Sequence, residues 1–450
     1  MKLARLVLPA LALTLLLPAA PAQAEEHCPE SDVIIERITT VVPWPRGVRW
    51  VDGKLYAIGR GIHRSAGGPQ ADIDDKAGHI FVIDPKISEP FVKDGPVGDA
   101  VRRNGRVLAE PTSPPFHIWD RKLPSTRDTL AGRPYCQLVY DPVSRNFITC
   151  AFSGVDLPKP FGFRKNATDS VLRYDMRSGK WKVIEQHNPN VVPVGELGKV
   201  IDQRYYPHHD IKKNAAPHGM VSGPCGATIA GRYLYVGGKD NTSLVQYDLA
   251  PIRKNPDAGA PPARYIFHRA TKDSNVFVNI KGHGNTYIEG TAAVEAHKNW
   301  LYVSFRTTSQ IIRFPLNKDG SLVEPLEGEL IAQFTRYNPK TGGGSANIYD
   351  MAFDKEGRIY VSPGYNGAIY RFRPDPKNVY DQTSYPKPWV DLTVSAGVRR
   401  SGNICFDDEY NLYVCSGKKE VKEGKLRGVI YRVRERASKP AVKETISRTR

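Results

Sequence analysis

Eight residues of this chain are of kinds that could share one chemical task. They are Arg46 in Pro-Arg-Gly-Val, Arg133 in Gly-Arg-Pro-Tyr, His218 in Pro-His-Gly-Met and His283 in Gly-His-Gly-Asn. The others are Glu289 before Gly290, Asp350 in Ile-Tyr-Asp-Met, and Arg400 and Asn403 in Arg-Arg-Ser-Gly-Asn-Ile. The carboxylate and amide oxygens of Glu289, Asp350 and Asn403 suit a divalent metal, calcium ahead of zinc, since zinc would draw more on imidazole. The guanidinium forks of Arg46, Arg133 and Arg400 suit a carboxylate or phosphate on a substrate. His218 and His283 are candidates for general base. Each residue also has a structural alternative: Asp350 and Asn403 could cap turns, and the arginines could neutralise carboxylates. His208 and His209, in Tyr-Tyr-Pro-His-His-Asp, lack a third ligand at fixed spacing. There is no Gly-x-Ser-x-Gly elbow, phosphate loop or His-Glu-x-x-His helix, so serine hydrolase, nucleotide and zincin readings lack their signatures.

What would bring these residues together is a repeat. A short aromatic and β-branched run recurs as Lys54-Leu-Tyr-Ala, Phe147-Ile-Thr-Cys, Tyr233-Leu-Tyr-Val, Trp300-Leu-Tyr-Val, Arg358-Ile-Tyr-Val and Asn411-Leu-Tyr-Val. Each is followed by a second run: Phe81-Val-Ile-Asp, Val171-Leu-Arg-Tyr-Asp, Leu244-Val-Gln-Tyr-Asp, Ile311-Ile-Arg-Phe, Ile369-Tyr-Arg-Phe and Ile430-Tyr-Arg-Val. A strand and a tight turn precede each first run, and period-2 alternation closed by Asp/Gly turns marks hairpins. One more strand-like stretch follows each second run: Ser88–Lys93, Trp181–Gln186, Arg264–Arg269, Leu330–Thr335, Pro388–Val394 and, for the last copy, Ile34–Val42 from the N-terminus. Four strands per unit in six units predict an all-β, six-bladed β-propeller closed by an N-terminal strand. A pair of β-sandwiches is the alternative, but it does not call for the same phrase six times.

With strands lettered A to D from the axis outward, most inserted sequence falls on one face. The B–C loops expand at 59–79, 152–170 and 416–428, and the D–A loops at 95–134, 187–223 and 271–288. Long loops on one face of a rigid scaffold are the usual seat of function. The eight residues lie at the starts of the innermost strands, where they would line the mouth of a central channel.

Residues 1–24 read as a secretory signal peptide: Lys2 and Arg5, the apolar run Leu6 to Leu17, then Ala22-Gln23-Ala24. A single propeller domain over 25–436 and a basic tail over 437–450 follow. The apolar run is too short for a membrane span, so a periplasmic or secreted protein, probing no membrane interior, is expected. Without Lys2 and Arg5, 62 basic residues face 47 acidic ones, a net charge of +15. An exported address speaks against a nucleic-acid partner, and the charge favours a small anionic substrate or a cell-surface polymer. A monomer is expected. Even cysteine count and export favour disulfides. In the hairpin register, Cys136 with Cys150 and Cys405 with Cys415 could each sit cross-strand, leaving Cys28 and Cys225.

Phrases such as Asp350-Met-Ala-Phe-Asp-Lys-Glu-Gly-Arg-Ile-Tyr-Val-Ser and Gly402-Asn-Ile-Cys-Phe-Asp-Asp-Glu-Tyr-Asn-Leu-Tyr-Val resemble the SMP-30/gluconolactonase and strictosidine synthase-like propellers, and more loosely NHL repeats. The resemblance implies a channel calcium held by a Glu, Asn and Asp set, polarising an ester or lactone carbonyl. By position Asp350 and Asn403 take the Asp and Asn roles. Arg46 stands where the family has its first-blade Glu, and Glu289 is a possible replacement. The expectation is an exported, metal-assisted hydrolase of a small lactone, ester or phosphoester. A non-catalytic propeller binding a protein or polysaccharide, and a polysaccharide lyase, are the alternatives.

Overall fold

The computed structural model describes residues 33–59, 62–64, 71–73, 78–92, 95–110, 134–151, 170–186, 221, 223–239, 241–269, 275–334, 348–364, 367–381, 388–396, 398, 401–422 and 425–436. Six sheets of four or more strands follow one another along the chain, with a small hairpin, Ile62–Arg64 and Ala71–Ile73, beside them. Their first strands are Pro45–Val51, Pro134–Asp141, Pro224–Ala230, Thr291–His297, Ile348–Phe353 and Ser401–Phe406. Each first strand neighbours the next, and the sixth neighbours the first, so the inner strands close a ring. The molecule is a β-propeller.

The repeated phrase explains why. Its Leu or Ile lies on the second strand of a sheet and is sealed between neighbouring sheets: Leu55, Leu234, Leu301, Ile359 and Leu412 are all fully buried. Truncating such a residue typically costs about 2–5 kcal/mol, so every copy of the phrase contributes to the core. The turn into the first copy is a two-residue hairpin, with Asp52 and Gly53 both at positive φ (48° and 73°). That backbone matches the twist of the flanking strands, and Gly adopts it without steric cost. Close approach at the axis sets a second constraint. A Cβ on Gly226 of the third sheet would lie 2.1 Å from the Ala292 carbonyl oxygen and 2.6 Å from the Val294 nitrogen of the fourth. Because both obstacles are backbone, Gly226→Ala is expected to cost about 3 kcal/mol in chemical denaturation. A loss under about 1 kcal/mol would contradict this spacing.

The N-terminal strand, Val33–Thr39, pairs antiparallel with Lys425–Glu435 of the sixth sheet, as the repeat required. Glu36 fixes the closure: its carboxylate accepts hydrogen bonds from Arg432 Nε (2.8 Å), Arg434 Nε (3.1 Å) and Ser88 Oγ (3.3 Å). Arg432 belongs to a recurring position on the third strand of each sheet. At that position Arg313 pairs with Glu329, Arg371 with Glu435, and Arg173 donates to the carbonyls of Pro256 and Ala258.

Two segments depart from the sequence reading. The fourth strand of the first sheet is Arg106–Ala109, not Ser88–Lys93. Glu89–Pro90 instead adds to the N-terminal strand on the sixth sheet. Residues 276–288, read above as a loop over the channel, form the hairpin Val276–Ile280 and Gly284–Ile288. It runs parallel to Glu327–Gln333 on the outer side of the fourth sheet, through Asn279 to Glu327 and Ile280 to Gly328. Alternation drives it: Val276, Val278 and Ile280 are buried, while Phe277 and Asn279 point out.

Candidate active site in the central channel

The inner strands carry their polar side chains deeper than the strand starts. Arg49 lies opposite Tyr56 on the first sheet and Glu295 opposite Tyr302 on the fourth, so both occupy the same position of the repeat. In a ring of six inner strands the first and fourth face each other, and Arg49 Nη1 reaches to 3.9 Å from Glu295 Oε1. A second span runs closer to the loops. The Ala227 N–H donates to Gln137 Oε1 (2.6 Å) and Gln137 Nε2 donates to Asp350 Oδ1 (3.0 Å). Asp350 Oδ2 accepts the Ile404 N–H (2.9 Å), so one chain of hydrogen bonds links the third, second, fifth and sixth sheets.

The two carboxyls differ in kind. Asp350 is 2% exposed and both its oxygens are occupied. Burial pushes it up to about 7, against the opposing pull of N–H groups from Ile404 and Met351, the Asn403 side chain and the Arg49 charge. Glu295 keeps 14% of its side chain open to the channel and, among the described residues, has no hydrogen-bond partner. Burial pushes it up to about 8; Arg49 lowers it and the neighbouring Asp350 raises it. Asp350 thus adds to what burial does at Glu295. An accessible carboxyl that holds a proton at neutral pH, beside a guanidinium that can take an anion, is equipped for general acid catalysis.

The residues singled out from sequence are distributed as follows. Asp350 and Asn403 come together, Asn403 bonding to the Asp350 carboxyl. Arg46 stands at the channel mouth with its guanidinium 4.3 Å from the ring of Tyr349. Tyr349 lies flat on Gly364, where a Cβ would come within 1.7 Å of the ring. Glu289 is elsewhere: Arg269 Nη2 (2.9 Å) and the Tyr287 hydroxyl (2.8 Å) each bond one of its oxygens. Partial burial raises that carboxyl, but these two bonds and the Arg269 charge outweigh it and hold it below its ordinary value.

His283 is an exposed turn residue of the outer hairpin, its N–H donating to the Ile280 carbonyl, so its placement over the channel is corrected. His283→Ala is therefore expected to leave any channel activity within about twofold of wild type; a hundredfold loss would restore it to the site. His218, Arg133 and Arg400 lie outside the described residues, as do the side chain of Cys136 and all of Cys28. Cys405 and Cys415 are buried free thiols, not the expected cross-strand disulfide. The turn over Asp407–Asn411 sets the register, so Cys405 faces Tyr413 rather than Cys415.

Arg49, Gln137 and Glu295 lie inside their strands, past the strand starts to which the sequence motifs point. The signal was available: the first-strand residue opposite the Tyr of the repeated phrase is Arg49 in one unit and Glu295 in another.

A calcium ion requires six to eight oxygen ligands. Both oxygens of Asp350 are taken by N–H donors, Arg46 is a cation and cannot ligate a metal, and Glu289 is bound by Arg269. Among the described residues no three His, Cys, Asp or Glu side chains converge. The described donor set does not fit that metal.

No protein-family model matches the chain, and no curated protein matches it. Solved structures that resemble it include the PQQ-bound aldose sugar dehydrogenase of Streptomyces coelicolor, at 11% identity over 90% of this chain and 100% of that one, TM-score 0.42. A calcium-binding protein, regucalcin, from Agrobacterium tumefaciens is 10% identical over 90% and 96%, TM-score 0.43. Virginiamycin B lyase from Staphylococcus aureus is 11% identical over 89% and 99%, TM-score 0.40. Overlaps this shallow add nothing to the site, which rests on the chain's own residues.

Proposed function

We propose that this chain is an exported, six-bladed propeller enzyme that hydrolyses a small anionic ester, lactone or phosphoester in its central channel. The ring formed by the inner strands of six sheets supports reading them as six blades. The observation that carries the reading is Glu295, a channel-facing carboxyl without a hydrogen-bond partner among the described residues, raised to about 8.

Arg49, and Arg46 nearer the mouth, would hold the substrate's anionic group. Water adds to the electrophilic carbon or phosphorus, the bond to the leaving oxygen breaks, and that oxygen takes the Glu295 proton. The acid product releases a proton that returns to Glu295, which closes the cycle. Asp350, fixed by Gln137 and the Ile404 N–H, acts as a positioning residue beside Glu295.

The test is a panel of aryl esters, lactones and aryl phosphates, each bearing a carboxylate, assayed with and without chelator on the purified mature chain. Chelator-resistant turnover that falls as pH rises through about 8 supports the reading. Turnover abolished by chelator would overturn the metal-free chemistry, and no turnover on any member would favour a binding propeller.

A further inference from the structure

A second polar cleft lies on the face away from the channel mouth, formed by the first sheet. It has a volume of about 490 Å³ and three walls: the first turn at Gly53–Lys54, the turn Asp84–Ile87, and Arg103–Arg106. Val82 and Ile83 contribute its apolar floor.

Its charge is one-sided. Lys54, Lys86, Arg103 and Arg106 line the cleft and are all exposed, against a single carboxylate, Asp84. One oxygen of Asp84 is already occupied by the Lys86 backbone N–H (2.9 Å). Arg103 has only a loose 3.8 Å contact with Asp99, both side chains being more than three-quarters exposed, which binds neither firmly.

The walls are preset. Asn104 is 4% exposed and ties two of them together: its Oδ1 accepts the Asp84 N–H (3.0 Å), and its Nδ2 donates to the carbonyls of Asp84 and Ile38 (both 2.8 Å). Lys86, Arg103 and Arg106 therefore sit on segments pinned to one buried amide and to the N-terminal strand. The size falls in the range of small-ligand pockets, and two guanidinium forks with two ammonium groups match paired tetrahedral oxyanions.

We infer that this cleft is a second binding site, independent of the channel, for a small ligand bearing two phosphate or sulfate groups. Isothermal titration of pyrophosphate into the full mature chain tests it, with sulfate at equal ionic strength as the comparison arm. One equivalent is expected, bound at least about tenfold more tightly than sulfate. The double variant Arg103→Gln/Arg106→Gln is expected to weaken it at least about tenfold, in proportion to the loss of charge-assisted hydrogen bonds. Glu295→Gln should bind as wild type does. No heat with pyrophosphate, several equivalents per chain, or binding untouched by the double variant would each overturn the site. Because the four cations are on the surface, near-ultraviolet circular dichroism of the double variant should be unchanged, which separates lost binding from lost fold.

Discussion

Glu295→Gln is expected to lower turnover by about a hundredfold to ten-thousandfold, the range for removing a general acid, while making the protein more stable at alkaline pH. The second half follows from linkage. The carboxyl sits at about 8 in the fold against an ordinary 4.5, so the native state binds its proton more tightly than the unfolded chain does. That preference favours the fold fully below about pH 4.5 and is lost progressively as pH rises through 8. Glutamine cannot ionise and escapes the loss. At pH 8.5 the variant should exceed wild type by roughly 3–5 kcal/mol in urea unfolding, and at pH 4.5 the two should be close. A purely structural Glu295, valued for its pairing with Arg49, would give the opposite: a variant less stable at every pH. A gain in stability with a loss of activity is the mark of a group kept in an unfavourable state for function.

The second large effect concerns closure of the ring. Glu36→Ala is expected to cost about 3–5 kcal/mol, because it leaves Arg432, only 17% exposed, without its carboxylate. Glu36 is itself nearly buried, and burial raises its carboxyl. The Arg432 hydrogen bond and charge, the Arg434 charge and Ser88 outweigh that and hold it below 4.5. A depressed carboxyl contributes stability above its unfolded value and loses it as pH falls through the folded one. The difference between wild type and Glu36→Ala should therefore be full at pH 7 and shrink below pH 4.5. Limited proteolysis should cut the variant first near Val33–Thr39, the strand whose pairing Glu36 secures. A loss below about 1 kcal/mol, with cleavage elsewhere, would show that strand pairing alone holds the ring shut.

The propeller was legible because its signal is local and repeated. Leu-Tyr-Val, Tyr-Arg-Phe and their variants place burial on two adjacent strands in every unit, and the match of Ile34–Val42 to Val33–Thr39 follows from the number of strands per unit. The hairpin at 276–288 was not assigned despite its alternating Val-Phe-Val-Asn-Ile, since its parallel pairing with Glu327–Gly328 depends on an edge some 50 residues away that no local pattern specifies. Arg106–Ala109 was missed for a related reason: after a helix at Asp99–Arg103 the chain returns to a sheet it had left at Ile83. Asp350 and Asn403, both singled out from sequence, lie together. Their company was misjudged, because a carboxyl's role depends on which N–H groups reach it. Gln137, 213 residues distant in sequence, supplies one of those.

The central claim is that Glu295 holds its proton in the channel at neutral pH. Infrared difference spectroscopy between pH 6 and pH 9, wild type minus Glu295→Gln, tests it without knowledge of the substrate. A protonated carboxyl band is expected in the wild type at pH 6 to 7, bleaching with a midpoint near 8 and absent from the variant. A Glu295 already ionised at pH 6 would contradict it.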